Sequence, residues 1–452
     1  MNNFETKLPL FPYQKEGASF IFDVGSGLLG HEMGLGKGLM ALAVCERAEA
    51  GAVLIFCPSA IKWQWYEEIK KFMGDNQSIV VIEGNKIERT HLWRKAHQFY
   101  IVNYELLLRD FELMNLRVWD VIIADEATKI SNARAKQSRM IKKLRATRRI
   151  ALTGTPISNR ANEVWNIIDW TNPGVLGNYW AFIQRYCVKN QWGGIFGYQN
   201  LEELKSRLRP YMIRRMKVDV LPELPEKITT NVPFELSPEE KNLYGKIKKE
   251  ILFEIERNDI SKMENPMTIQ YTLVKMLRLR QLTDSMELLG HNKQSSKLEV
   301  LKELLVECIQ QEKKVIVFTQ FAEMADILAR ELAEYQPLVI SGKIKEEYKD
   351  VVNRFNTDQN NRILIMTSAG QFGLNIQCAS VIFHYDFEWS LGKMEQRDGR
   401  AHRYGQKDTV LVYNLIAKGT LDEYVQKVLY AKREIADRIL MDDIKAMLHY
   451  GE

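Results

Sequence analysis

Cysteine is scarce and scattered in this sequence: Cys45, Cys57, Cys187, Cys308 and Cys378, with no CxxC pair. An odd set without ligand spacing argues against a disulfide frame or structural zinc and for a reducing compartment. Long apolar runs are also missing. None approaches the ~18 residues of a membrane helix, and the start, MNNFETKLPL, lacks the apolar core of a signal peptide. Glycine and proline, 26 and 12 of 452 residues, are too few for a low-complexity or collagen-like chain. Neither sign of charge dominates: 63 basic against 58 acidic side chains leave +5, which is no electrostatic footprint unless it clusters. What remains is ordinary globular composition, 46% apolar and 27% charged. The length suits two or three domains at ~150 residues each, and a cytoplasmic protein is expected.

Short apolar runs that read as buried parallel strands recur at Val53–Phe56, Tyr100–Val102, Val121–Ala124, Ile150–Leu152, Val315–Phe318, Ile363–Met366 and Val381–His384. Helical patterns follow several of them, as at Lys62–Phe72 and Glu323–Tyr335, and this alternation predicts doubly wound α/β architecture. The strands fall into two groups, with a long, polar, helix-patterned stretch between. In Val220–Lys227, VLPELPEK, two prolines disfavour a continuous helix and mark a linker. The tail from Thr420 to Leu448 reads as amphipathic helix.

Two segments carry phosphate chemistry. In Gly27–Met40, GLLGHEMGLGKGLM, a strand-like start runs into a glycine-rich turn, a lysine and a helical pattern. Such a loop aims backbone N–H groups at phosphate oxygens, and Lys37 would reach the β- and γ-phosphates. Met33, Gly34, Leu35, Gly36 and Gly38 complete the candidate loop. Gly38, however, stands where the Walker A pattern requires Ser or Thr, and His31 holds the position of its opening glycine. By itself the segment also fits a plain glycine-rich turn. In Trp119–Asn132, WDVIIADEATKISN, an apolar strand ends in two carboxylates. Asp125 suits Mg²⁺, held through water, and Glu126 suits activation of the attacking water.

Further along come Leu152–Asn159 (LTGTPISN), Thr367–Ala379 (TSAGQFGLNIQCA) and Glu395–Gln406 (EQRDGRAHRYGQ). The set, in this order, resembles the Swi/Snf-type DNA translocases of helicase superfamily two, in a minimal bacterial or phage form. LPLFPYQKEG resembles the family's adenine-recognition motif, with Gln14 as its glutamine. CPSAIKWQWYEEIKKF is similar to the motif built on Pro58, Trp65 and Glu68. VNYELL resembles the strand-end motif near DNA, and YMIRRMKVDVLPELPEK the double-arginine segment. KVIVFTQF and the Trp389 region match the second lobe.

The resemblance implies an α/β fold of two RecA-like lobes, each a parallel sheet flanked by helices, with helical protrusions between and a C-terminal brace helix. The expected boundaries are 1–228 for the ATP-binding lobe with a helical insertion at about 160–210, 229–296 for a protrusion and linker, and 297–452 for the second lobe with the brace at about 420–448. ATP and Mg²⁺ are the implied cofactors and double-stranded DNA the implied partner; an unidentified protein partner is compatible. Arg400 and Arg403 would act as arginine fingers on the γ-phosphate, and Gln396 would couple nucleotide to DNA. Lys62, Asn103, Tyr104, Thr319, Thr367 and Ser368 are the expected DNA contacts. Arg214 and Arg215 would either tie the lobes or touch the DNA backbone.

Other features remain ambiguous. Eight bases fall in the sixteen residues Arg134–Arg149, which would give either a phosphate-binding patch or a solvated helix face. Trp165, Trp170, Trp180 and Trp192 are possible base-stacking platforms, although the spacing of the first two favours core packing. Thr128 replaces the His of DEAH-like boxes, and His31 the family's usual acid. No bromo-, chromo- or SANT-like extension is expected once the lobes are counted.

Gly38 is the serious departure, because the family's hydroxyl there is a Mg²⁺ ligand. Water can replace it, so the loss is worth ~1.5–3 kcal/mol, or roughly 10- to 100-fold in rate or affinity. Glycine weakens the first helical turn by a further ~1 kcal/mol. Impaired rather than abolished turnover is expected, and Gly38→Thr is the natural restoring substitution. The leading reading is an ATP-driven translocase on duplex DNA that remodels protein–DNA complexes or junctions. The alternatives are a nucleotide-gated DNA clamp with little hydrolysis and a strand-separating DNA or RNA helicase.

Overall fold

The computed structural model describes residues 6–157, 160–190, 194–257, 266–291, 295–342, 348–367 and 376–440. They form two compact units. The first comprises the chain up to Glu223 with Ser390–Gly392 and the stretch from Ala431; the second comprises Leu224–Trp389 and Lys393–Tyr430.

The first unit is built on a seven-stranded parallel sheet. Its strands are β1 (Gly27–Leu29), β2 (Val53–Cys57), β3 (Ile79–Val81), β4 (Phe99–Asn103), β5 (Trp119–Asp125), β6 (Ala146–Leu152) and, after a small antiparallel hairpin of β7 (Cys187–Lys189) and β8 (Ile195–Tyr198), β9 (Met212–Ile213). The spatial order is β3-β4-β2-β5-β6-β1-β9. Runs such as VLIFC in β2 are buried throughout because helices cover both faces, so they read as continuous rather than alternating apolar strands. Around the sheet lie α1 (Pro12–Val24), α2 (Lys37–Arg47) and α3 (Lys62–Met73). Pro12 opens α1, where its fixed φ suits the first turn and its missing N–H is not needed.

The second unit holds a six-stranded parallel sheet of β10 (Lys227–Phe234), β11 (Val315–Phe318), β12 (Leu338–Ile340), β13 (Ile363–Met366), β14 (Val381–His384) and β15 (Val410–Ala417), in the order β10-β15-β14-β11-β13-β12. Long helices Pro238–Arg257 and Pro266–Asp284 belong to this unit. The seven strands legible as apolar runs are all present. β10 was not legible: Pro233 and an almost wholly exposed or half-buried side-chain row mark it as an edge strand.

Trp165 and Trp170 are buried in the first unit's core, Trp180 is exposed, and Trp192 lies outside the described residues. The stretch from Thr420 forms one helix, Leu421–Leu440, and 441–448 of the expected brace also lie outside the described residues. No helix among the described residues is long and apolar enough to cross a membrane.

One buried ionic cluster fixes helices of the second unit. Lys297 Nζ donates to Asp284 Oδ1 at 2.8 Å and to Asp422 Oδ2 at 2.9 Å, all three side chains being withdrawn from solvent. Burial pushes the Asp284 pKa up, and the Lys297 ammonium pulls it back down. Replacing Lys297 by methionine leaves two buried carboxylates without their cation. Urea unfolding should then show a loss of about 3–5 kcal/mol; a loss under about 1 kcal/mol would mean the acids relax to water.

Candidate nucleotide-binding site

Three strands of the first sheet end side by side, and each end carries a segment singled out from the sequence. β1 leads through Gly30 into the loop Met33–Gly38 and α2; β5 ends in Asp125; β6 runs into Thr153–Pro156. Carboxyl ends of parallel strands are where open α/β sheets take ligands.

The loop has the backbone a phosphate cradle needs. Gly34 and Gly36 take φ of +87° and +76°, a region L side chains rarely adopt. Gly36 is the N-cap of α2 and offers no side chain to its first-turn N–H groups, which leaves them for an anion. Lys37 Nζ donates to the carbonyls of His31 at 2.8 Å and Glu32 at 3.2 Å. Burial lowers its pKa to about 8, while Glu126 and Asp125 pull it upward, so the three charges share one electrostatic neighbourhood. Gly154 is needed beside them: a Cβ there would come 2.4 Å from Met33 Cγ and 3.6 Å from Lys37 Nζ.

Asp125 is half-buried, and burial raises its pKa. Three contacts oppose that rise: Trp65 Nε1–H on Oδ2 at 2.8 Å, the charge of Lys37, and the Glu126 N–H on Oδ1 at 2.9 Å. Glu126 itself sits at φ +51°, ψ +54°, a left-handed conformation uncommon for a side chain of this kind. Such strain is held where surroundings over-determine it, commonly at functional sites. The donor set of carboxylate oxygens fits a hard Mg²⁺ ion. Among the described residues no three acidic, His or Cys side chains are grouped to hold a metal.

Gln14 is buried and spans α1 and the loop: its Oε1 accepts the Phe11 N–H at 2.9 Å and its Nε2 donates to the Leu35 carbonyl at 3.2 Å. The double-arginine segment is tied into the same unit. Arg214 Nη1 donates to the carbonyls of Gly30 at 3.2 Å and Gly154 at 3.0 Å, Arg215 pairs with Glu16, and the Lys217 N–H binds Glu32 Oε2 at 2.8 Å. The sequence left the role of these arginines open; Arg214 ties the segments that leave β1 and β6, and Arg215 ties α1.

In the second unit, Gln396 and Arg400 are buried and Arg403 is half-buried, on and just after helix Leu391–Asp398. Arg400 Nε donates to the Gln396 carbonyl at 3.3 Å. Asp398, unnoticed in the sequence, anchors this segment: its carboxylate takes Lys227 Nζ at 2.7 Å and His384 Nε2 at 2.9 Å. Burial works against ionisation, but Lys227 and His384 hold it well below the usual range. Its partners lie far off in sequence, so no local pattern signals it.

The expected DNA contacts face differently. Thr319 is fully buried with Oγ1 on Asp386 Oδ2 at 2.6 Å, and Thr367 is buried with Oγ1 on the Ile340 carbonyl at 3.5 Å. Lys62 is buried, its Nζ 3.2 Å from Glu83 and 3.4 Å from the Ile82 carbonyl. Tyr104 is buried and its hydroxyl donates to the Asp125 carbonyl at 2.7 Å, which makes it a support of β5. Each of these four side chains thus has a partner within its own unit. Asn103 is half-buried at the end of β4, and Ser368 lies outside the described residues. The basic stretch divides. Lys142 pairs with Asp169 at 2.6 Å, and Arg148 and Arg149 bind backbone carbonyls, whereas Arg134, Lys136, Arg139, Lys143 and Arg145 are exposed.

Residues 13–288 match the model of the SNF2-related domain, and residues 296–405 that of the helicase conserved C-terminal domain. The chain belongs to the SNF2-related family. Similar proteins include one named an uncharacterized ATP-dependent helicase from Mycoplasma genitalium, 30% identical over 447 residues covering 96% of this chain and 42% of that protein. A putative ATP-dependent helicase/translocase of Bacillus subtilis is 30% identical over 459 residues, covering 96% and 49%. The chain thus spans about half, or less, of the length of these relatives. The Sulfolobus solfataricus SWI2/SNF2 ATPase core in complex with dsDNA is a similar solved structure, 27% identical, with a TM-score of 0.47 and coverage of 98% of this chain and 99% of that one.

His31, just before the loop, is fully buried. Burial, then the charges of Lys37 and Arg215, lower its pKa to about 3. The unfolded chain therefore takes up a proton at pH near 6.5 that the folded chain refuses until about 3. This part of the stability is complete above pH 6.5 and is lost as pH falls toward 3. A His31→Gln variant should lose less stability over that window, by up to about 4 kcal/mol at its lower end. Parallel stability–pH curves for the two proteins would contradict the assignment.

Proposed function

We propose that this SNF2-family chain is an ATP hydrolase that couples hydrolysis to movement along double-stranded DNA, remodelling protein–DNA complexes or junctions in the cytoplasm of a bacterial or phage-infected cell. The observation that carries the reading is the convergence of Lys37, Asp125 and Glu126 at the ends of β1 and β5. The loop Met33–Gly38 would cradle the phosphates, Lys37 neutralising their charge. Asp125 would hold Mg²⁺ through water, and bound Mg²⁺ would draw charge from the phosphate oxygens. Glu126 would orient and deprotonate the attacking water.

The second unit would contribute Arg400 and Arg403, whose guanidiniums match the charge developing on a transferring phosphoryl group, and Gln396 beside them. The exposed bases Arg134, Lys136, Arg139, Lys143 and Arg145 support contact with a phosphate backbone without base readout. A second reading, a nucleotide-gated DNA clamp with little turnover, is favoured by one observation: Gly38 lacks the Mg²⁺-binding hydroxyl.

Steady-state ATPase with Mg²⁺, measured without DNA, with single-stranded DNA and with duplex DNA, separates these readings. The motor reading expects stimulation by duplex, with Lys37→Ala lowering turnover by roughly 100-fold or more through loss of transition-state charge stabilisation. Turnover equal to that of Lys37→Ala would favour the clamp. Preferential stimulation by single strands would favour a strand-separating helicase.

A further inference from the structure

The chain leaves the first unit at Glu223 and enters the second at Leu224. Just beyond, it is fastened to the turn that carries the two arginines. Lys227, the first residue of β10, places Nζ 2.7 Å from Asp398 Oδ2, and His402 Nε2 lies 2.9 Å from the Pro225 carbonyl. Asp398 extends the tie. Its other oxygen meets His384 at the end of β14, and its backbone carbonyl accepts the N–H groups of Ala401 at 3.2 Å and His402 at 3.0 Å. Arg400 therefore sits between two fastened residues, Asp398 and His402, and Arg403 follows the second directly.

An edge strand does not supply this by default. β10 lies at the edge of its sheet beside β15, and a lysine on an edge normally stays in water, where it discourages further pairing. Lys227 is instead drawn in, its side chain 25% exposed and that of Asp398 13%. A pair withdrawn this far gains little net stability, because desolvation offsets most of the attraction; the best-attested use of such a pair is to fix register. Proline adds stiffness. Pro222 and Pro225 stand on either side of the crossing between the units, and their fixed φ leaves the segment few conformations. A displacement of the chain there passes to Lys227 with little slack, and from Lys227 to the turn.

We propose that Lys227 and Asp398 latch the segment entering the second unit to the Arg400–Arg403 turn, so that the path of the chain between the units sets where the two guanidiniums stand. Both are positioning residues; neither has to meet the nucleotide. The inference rests on the hydrolase reading, with Arg400 acting on the transferring phosphoryl group.

The test is ATP hydrolysis by the whole chain with saturating duplex DNA, using γ-labelled ATP so that slow variants are still read, with kcat and KM resolved and a thermal midpoint taken for each variant. Lys227→Met should lower kcat roughly 10- to 100-fold, the cost of a misplaced catalytic group, and leave KM for ATP unchanged. Lys227→Met/Asp398→Asn removes both charges of the pair, so it should regain the thermal stability that Lys227→Met loses, yet stay slow. In an Arg400→Ala background the loss from Lys227→Met should shrink to about 3-fold or less, because the group it positions is gone. The neutral double variant carries the same comparison if Lys227→Met alone fails to fold. An unchanged kcat in Lys227→Met, or a loss confined to KM, would overturn the proposal. So would a double variant that regains rate together with stability, which is the mark of a merely structural pair, or an equal loss with and without Arg400. A wild type no faster than Lys37→Ala would overturn the hydrolase reading itself, and this inference with it.

Discussion

The convergence of three parallel strand ends is the constraint on which the first unit depends. β1, most of β5 and the carboxyl half of β6 are buried, so the loops leaving their carboxyl ends are placed by the core. Onto that frame the chain adds polar staples. Arg214 joins the carbonyls of Gly30 and Gly154, and Gln14 joins α1 to the Leu35 carbonyl. Tyr104 holds the backbone at Asp125, and Trp65 holds its side chain. None of these residues needs to touch a phosphate, yet each limits where Lys37 and Asp125 can stand. Partial burial adds to this: the fields of one ammonium and two carboxylates act on one another with less screening than in bulk water.

Much of this was legible in the sequence, for a physical reason. Strands covered on both faces produce continuous apolar runs, so β2, β4, β5, β6, β11, β13 and β14 announced themselves. Edge strands do not: β10, with Pro233 and an exposed row, read as linker. The grouping of the candidate site was also legible, because the glycine-rich loop and the acid pair were singled out by residue type and offset and stand together at the strand ends. Supporting contacts were less so. Asp398 meets Lys227 and His384, and Arg214 meets Gly30 and Gly154, across sequence gaps that no local pattern spans. The partners of Thr319, Thr367, Lys62 and Tyr104 likewise lie across sequence gaps.

Gly38 illustrates how a local departure is weighed by its surroundings. In the sequence it is a defect in a known pattern, with threonine as the obvious repair. In the structure its missing side chain is matched by a tryptophan and a glutamate that stand over the same turn. The residue that looked like a loss is one side of a packed contact. The same contact links position 38 to Asp125 through a single indole ring.

Movement along duplex DNA without separating its strands is the claim that most needs a direct reading. Displacement of a third strand from a DNA triplex, recorded with ATP, with ADP and for Lys37→Ala, reads that movement itself. The expected result is ATP-dependent displacement of the third strand, with the underlying duplex intact and no displacement by Lys37→Ala. Displacement that is indifferent to ATP, or that separates the duplex, would contradict it.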